Sequence, residues 1–454
     1  MKKNVDLLHE SILPALTRLA VPIMATSLVQ MAYNLTDMLW IGRLGAGAVT
    51  AVGTAGLYIW MSQGVVDLAR IGGQVKVSQS LGGQDEEEAG QFAKGALQIG
   101  IFLALLFGVI SLLGAGPLIG FFGLQSGAII RDSERYLQIT GGAIIFSFLN
   151  AVLTGILAAE GDSKTPFKAN VVGLVSNIVM DPVLIFGLGP FPKMGVEGAA
   201  IATVGAQMVV TALFIIAVRE DKIIFDKFRL FTKTSFRHIK GIMQIGLPAA
   251  MQKILMAGIS MILTRLVASW GDTAVAVQRV GSQIESISWM TAEGFGVAIN
   301  SFTGQNYGAK QYKRVKDGYL TAVKIMTAWG ILTTAVLIFL SVPIFRVFIA
   351  EPEVLAAGSD YLKILGVSQI FMCIEILTAG AFAGLGKTML SSVISTIFTV
   401  LRIPMAVALS ATVLGLNGIW WAITLSSVLK GMIFLGFYLV TLRKLKKVQK
   451  TIDG

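Results

Sequence analysis

The chain has 454 residues, of which 54% are hydrophobic and only 14% charged, with a formal net charge of +11 and a mean hydropathy of +0.74. This leaves too little polar surface for a soluble protein of such length and is the composition of an integral membrane protein. A single cysteine, Cys373, and two histidines in polar segments, His9 and His238, exclude an internal disulfide, a thiolate metal cluster and histidine chemistry inside the membrane. The positive balance reads as basic loops on the cytoplasmic side rather than as a nucleic-acid surface.

Residues 1–10 are polar and lead into an apolar helix without a small-residue cleavage site, so no cleavable signal is expected. Apolar windows of roughly 20 residues predict about twelve helical spans. The first six cover 14–41, 47–70, 90–115, 134–160, 166–188 and 195–219. The second six cover 240–269, 273–300, 317–342, 359–385, 388–412 and 415–441. Leu, Ile, Val, Met and Phe run through them without strand-like alternation, which argues against a barrel. The expected fold is all-α: a six-helix lobe over 1–219, a polar linker over 220–239, a second six-helix lobe over 240–442 and a basic tail over 443–454. Positive residues set the orientation. Lys2, Lys3, Lys164, Lys168, Lys310, Lys313, Arg314, Lys316 and the tail fall on one side. Arg43, Arg131, Arg135, Lys193, Arg346 and Lys363 fall on the other. Both termini are therefore expected in the cytoplasm.

The two halves align at an offset of 226, the distance from Pro22 to Pro248. Gly45 meets Gly271, Ser62 meets Ser288, Asp67 meets Glu293, Gln79 meets Gln305 and Gly82 meets Gly308. With small gaps the match continues: Gly161 with Gly386, Pro182 with Pro404, Gly195 with Gly415. A duplicated apolar chain in this order points to a transporter built of two bundles. Two acids break the match. Asp37 faces Leu263 in the alignment and Asp181 faces Ile403.

A carboxylate at bilayer depth is costly and normally turns to the protein interior, where it has a task. Gln30, Tyr33 and Asp37 share one helix face; the alternative for Asp37 is a solvated helix end. Asn170, Asn177 and Asp181 form a polar stripe, and carboxylate with amide oxygens suits a hard cation or a shared proton. Pro182 would remove a backbone donor and open that helix, or Asp181 would cap a helix end there. Pro22 is a candidate hinge or a static kink. Asn34, Asn150, Thr154, Thr203 and Gln207 could line the same cavity, though interhelical hydrogen bonds account for them about as well. Glu375, mid-helix in the second half, is a second cation or substrate site unless Arg402 or Lys253 neutralises it. Asp67 is expected to pair with Arg70 or Lys76. Gly386-Lys387-Thr388 lacks the glycine pattern of a phosphate loop, and no catalytic cluster is legible, so nucleotide use and enzymatic activity are not expected.

Taken together, Tyr33-Asn34-Leu35-Thr36-Asp37, Gly42-Arg43-Leu44-Gly45, Ala274-Val275-Ala276-Val277 and Gly304-Gln305-Asn306-Tyr307-Gly308-Ala309 resemble the multidrug and toxic compound extrusion (MATE) family. The family belongs to the multidrug/oligosaccharidyl-lipid/polysaccharide flippase superfamily, and the closest pattern is its DinF-like branch. The resemblance implies two bundles and export of amphipathic or cationic organic compounds, driven by inward H⁺ or Na⁺ through alternating access. It carries the first-lobe ion site onto Asp37, Asn177 and Asp181, with Tyr33 and Gln30 beside them and Thr203 as a further member. It implies no organic cofactor, a bilayer and small organic cations as partners, a monomer, and a prokaryotic inner membrane. Rival readings are a lipid-linked saccharide flippase of the same superfamily, a membrane enzyme and a channel.

Overall fold

The computed structural model describes residues 5–219, 224–227, 229–347 and 352–453. Lys2 and Lys3, and the linker residues Glu220 to Lys222, lie outside them. Sixteen α-helices are described. In the first half they are α1 (Ile12–Gly42), α2 (Ala46–Gly82), α3 (Glu86–Gly120), α4 (Gly127–Gly142), α5 (Ile145–Ala159), α6 (Lys164–Phe186) and α7 (Gly195–Arg219). In the second they are α8 (Phe236–Ala268), α9 (Asp272–Gly308), α10 (Tyr312–Phe339), α11 (Ser341–Arg346), α12 (Pro352–Gly366), α13 (Gln369–Gly384), α14 (Thr388–Val400), α15 (Arg402–Ser410) and α16 (Leu416–Asp453). No strand occurs among the described residues.

Eight spans are long and apolar enough on their own: α1, α3, α6, α7, α8, α10, α14 with α15, and most of α16. Two more are bent pairs, α4 with α5 at 45° and α12 with α13 at 50°. The helices α2 and α9, 37 residues each, are long enough for a bilayer at about 1.5 Å per residue but carry more polar residues. Together these account for the twelve spans. The bends at Gly142–Ile144 and Gly366–Ser368 leave no mark in hydropathy.

The offset of 226 recurs in the backbone. Gly45 and Gly271 precede α2 and α9 with φ of 108° and 102°, a region open only to glycine at low cost. Among the described residues Gln84 and Lys310, also equivalents at this offset, are the two non-glycine residues with positive φ, at 61° and 58°. Both prolines expected to disturb helices sit inside unbroken ones: α1 runs through Pro22, and α6 runs through Pro182 to Phe186, ending at Gly187 with φ 75°. Pro182 therefore does not end α6, and Asp181 is fully buried rather than a solvated cap.

The described residues form two compact units. One holds Val5 and residues 25–250; the other holds 6–24 and the chain from 251 onward. Each long first helix thus begins in one unit and continues in the other. In the first unit, α8 starts hard against α2, where a Cβ on Gly246 would overlap the Leu68 carbonyl. In the second, α1 starts against α9, where a Cβ on Gly294 would come within 3.0 Å of Met24 N. Leu68 and Gly294 are equivalents at the 226 offset. The starts are also tied down by polar contacts. His238 Nε2 lies 3.0 Å and Arg237 Nη2 3.1 Å from the Glu88 carboxylate on α3. In the second unit Arg314, the equivalent of Glu88, donates to the Leu7 and Glu10 carbonyls, and Asn306 donates to Leu7 O at 3.0 Å. The first unit's core packs Phe148, Val152, Ile156 and Phe214 around α2 and α3. The second unit's cores form around Phe345, Leu362 and Trp420 and around Leu263, Val267 and Ile419.

Candidate functional site

The first unit holds a buried polar cluster contributed by four helices. Tyr33 and Asp37 come from α1, one turn apart on one face; Asn177 and Asp181 come from α6 with the same spacing; Thr203 comes from α7. Asn177 and Asp181 are both fully buried, and Asn177 Nδ2 donates to Asp181 Oδ1 at 3.1 Å. Asp37 and Asp181 stand within electrostatic reach of each other and of Tyr33, and Thr203 lies beside Tyr33. The fourth helix brings a residue that sequence reasoning missed. Tyr136 of α4, 6% exposed, is grouped with Asp37, Tyr33, Asp181 and Thr203. It follows directly on the charged stretch Arg131 to Arg135, at the very start of the predicted span 134–160.

The cluster has unused hydrogen-bonding capacity. Tyr33 OH, Asp37 Oδ1, Asn177 Oδ1, Asp181 Oδ2 and Thr203 Oγ1 are all buried, and none has a hydrogen-bond partner of good geometry among the described residues, though Tyr33 and Thr203 approach each other. Buried polar atoms are as a rule satisfied, and each exception needs an account. Two carboxylates, an amide oxygen and hydroxyls make an oxygen-only donor set, which fits a hard monovalent cation or protons carried on the carboxylates. No grouping of histidine, cysteine and acids suited to a transition metal occurs among the described residues.

A small cleft adjoins the cluster, lined by Gln30, Tyr33, Asn170, Gly173 and Gln207 among others. Gly173 keeps α6 close to α7, since a Cβ there would overlap Val210. Gln30 is exposed and donates to Asn34 Oδ1 at 3.5 Å. Asn150 is spent on a different task. Its amide donates to Gln207 O and Oε1 at 3.0 and 2.9 Å and accepts from Thr211 at 2.8 Å, tying α5 to α7. Thr154 returns its hydroxyl to Asn150 O at 2.7 Å. Neither residue is among those lining the cleft. Asp67 pairs with Arg70 at 2.6 Å, as expected. Glu375 lies in the second unit, where Lys430 bonds it at 2.7 Å and the expected Arg402 stands within electrostatic reach of it.

Comparison with known proteins gives the family and the fold. The MatE family profile matches residues 22–183 and again 248–408. A probable multidrug resistance protein NorM of Thermotoga maritima is 28% identical over 431 residues, covering 93% of this chain and 91% of the relative. An FAD transporter of Shewanella oneidensis is 24% identical, with 95% of each chain covered. A solved MOP superfamily transporter from Pyrococcus furiosus superposes with a TM-score of 0.91 at 25% identity, over 98% of this chain and 99% of that one. A MATE structure in a bent conformation superposes with a TM-score of 0.90 at 24% identity, covering 99% of each chain. The protein is a transporter, with no enzymatic role, and the chain belongs to the MATE family of the MOP superfamily.

Proposed function

We propose that this protein is a secondary active multidrug exporter that moves amphipathic and cationic organic compounds out of a prokaryotic cell in exchange for inward H⁺ or Na⁺. The multidrug resistance relatives support the drug-efflux part. The single observation that carries the coupling is the set of unpartnered buried oxygens on Tyr33, Asp37, Asn177, Asp181 and Thr203. The two halves, matched separately by one family profile, are read as an internal repeat of which only the first keeps this cluster.

In the proposed cycle the ion enters from outside and neutralises Asp37 and Asp181. That removes the negative charge holding a cationic substrate and favours its release. The ion then leaves to the cytoplasm, and the emptied carboxylates accept the next substrate. An ion drives such a cycle only by binding the two conformations unequally, and the change in local charge supplies the difference. Pro22 and Pro182 are the positions proposed to absorb bending. Gln30, Tyr33, Asn170 and Gln207 would contact substrate in the cleft.

The test uses proteoliposomes and a fluorescent lipophilic cation, with a proton or a sodium gradient imposed separately. Wild type should concentrate the dye under one of the two gradients. Asp37→Asn should bind the dye but lose at least about tenfold in gradient-driven transport, a loss of roughly 1.4 kcal/mol in coupling. Undiminished concentrative transport by Asp37→Asn would sink the coupling role. One relative is named as an FAD transporter, so FAD belongs in the same assay as an anionic competitor.

A further inference from the structure

The second unit carries a buried ionic network that the transport cycle above leaves unused. Lys430 of α16, only 3% exposed, donates from Nζ to Glu375 Oε1 of α13 at 2.7 Å. Arg402 of α15 donates through Nε to Ser426 Oγ at 2.6 Å and through Nη2 to Ser427 Oγ at 2.9 Å. Its guanidinium is within electrostatic reach of both Glu375 and Glu285, and Gln369 Nε2 donates to Glu285 Oε1 at 3.0 Å. Two acids are thus set against two bases.

Glu375 occupies the place that Asn150 holds in the first half, since each stands eleven residues before the matched glycines Gly386 and Gly161. Counted from Gly415 and Gly195, Lys430 falls on Val210 and Ser427 on Gln207. The first half ties these helices together with the neutral Asn150–Gln207–Thr211 network; the second uses an ion pair. The two halves also differ in counter-charge. Among the described residues no basic side chain bonds Asp37 or Asp181, which keep unpartnered oxygens, whereas Glu375 is bonded by one.

A buried carboxylate needs a counter-charge close by. An alkali cation would supply one and could leave again. A lysine ammonium is a compact point charge of the same valence on a flexible stem, and it stays. We propose that Lys430 is a tethered cation: its ammonium fills the place at Glu375 that a monovalent cation would otherwise take, so that exchange of the coupling ion is confined to the first half. The second clause rests on the coupling site proposed above; the first does not.

The experiment uses the full-length chain in an Asp37→Asn/Asp181→Asn background, purified in detergent, with thermal unfolding followed in sodium, methylammonium and choline salts. In the parent background the three salts should give the same Tm. Adding Lys430→Ala should create a saturable rise of about 2 °C or more in sodium or methylammonium over choline, as expected for a ligand that binds the folded state alone. Adding Glu375→Gln to that variant should abolish the rise. A Lys430→Ala chain that survives extraction only in sodium or methylammonium supports the proposal equally. The same Tm in all three salts, or loss of the protein in every salt, overturns it. Because both first-half carboxylates are absent from this background, failure here leaves their role standing, and the efflux of Asp37→Asn tests that role separately.

Discussion

At the scale of the residue, the division of labour follows from who neutralises whom. Asp37 and Asp181 are held among oxygens with spare capacity, and Glu375 is held by Lys430. Tyr136, packed against the first group, offers a hydroxyl where the oxygens of the cluster converge. Tyr136→Phe should fold normally and weaken the apparent affinity for the coupling ion by about fivefold to tenfold, the worth of one hydrogen bond in a dry site. Ion titration of the dye-efflux rate reads this, and an unchanged half-saturation would remove Tyr136 from the site. The acids of this cluster were legible in the sequence because a charge in an apolar span stands out, and Asn177 followed from helical spacing. Tyr136 was not, because its neighbours are charged and its depth depends on the bend between α4 and α5. Nor was the Glu375–Lys430 bond, because Lys430 sits in a helix that runs on into a basic tail, and pairing depends on how α13 and α16 are rotated against each other.

At the scale of the element, glycine has two opposite uses. Gly45 sits at φ 108°, where a side chain is strained whatever the space around it. Gly53 lies inside α2 with nothing near an added Cβ. Gly45→Ala should therefore destabilise by roughly 1–3 kcal/mol, while Gly53→Ala should be neutral or stabilise by up to about 1 kcal/mol through helix propensity. Thermal unfolding of both variants in one detergent decides it; equal Tm values would mean the α1–α2 turn relaxes without cost. Hydropathy located the helices but underestimated them. The windows for the second and eighth spans stop at residues 70 and 300, whereas α2 and α9 reach Gly82 and Gly308. Windows follow the bilayer, and helices continue past it wherever caps and tertiary contacts allow.

At the scale of the whole molecule, the asymmetry of Lys and Arg makes a claim about orientation. Cys373 is buried and is the only cysteine, so Cys373→Ser provides a clean background for thiol labelling. In it, Ser235→Cys, exposed before α8, should react with a membrane-impermeant maleimide only after the cells are opened. Ser126→Cys, exposed before α4, should react in intact cells. The reverse pattern would invert the topology and with it the direction of transport.

The way each first helix begins in one unit and continues in the other has a further consequence. Residues 6–24 belong with the second half, and the start of α8 belongs with the first. Two copies of a six-helix chain that exchanged their leading arms would have this connectivity, which is that of a domain-swapped dimer joined end to end. An arm exchanged between partners leaves its own half with an uncovered groove where Gly246 meets Leu68, or where Met24 meets Gly294. A gene split within 220–223 should then give two fragments that are each degraded when expressed alone and that co-purify as a transport-competent pair when expressed together. The covalent link would be a convenience of synthesis, and the reciprocal embrace of the arms would be what makes the halves one machine.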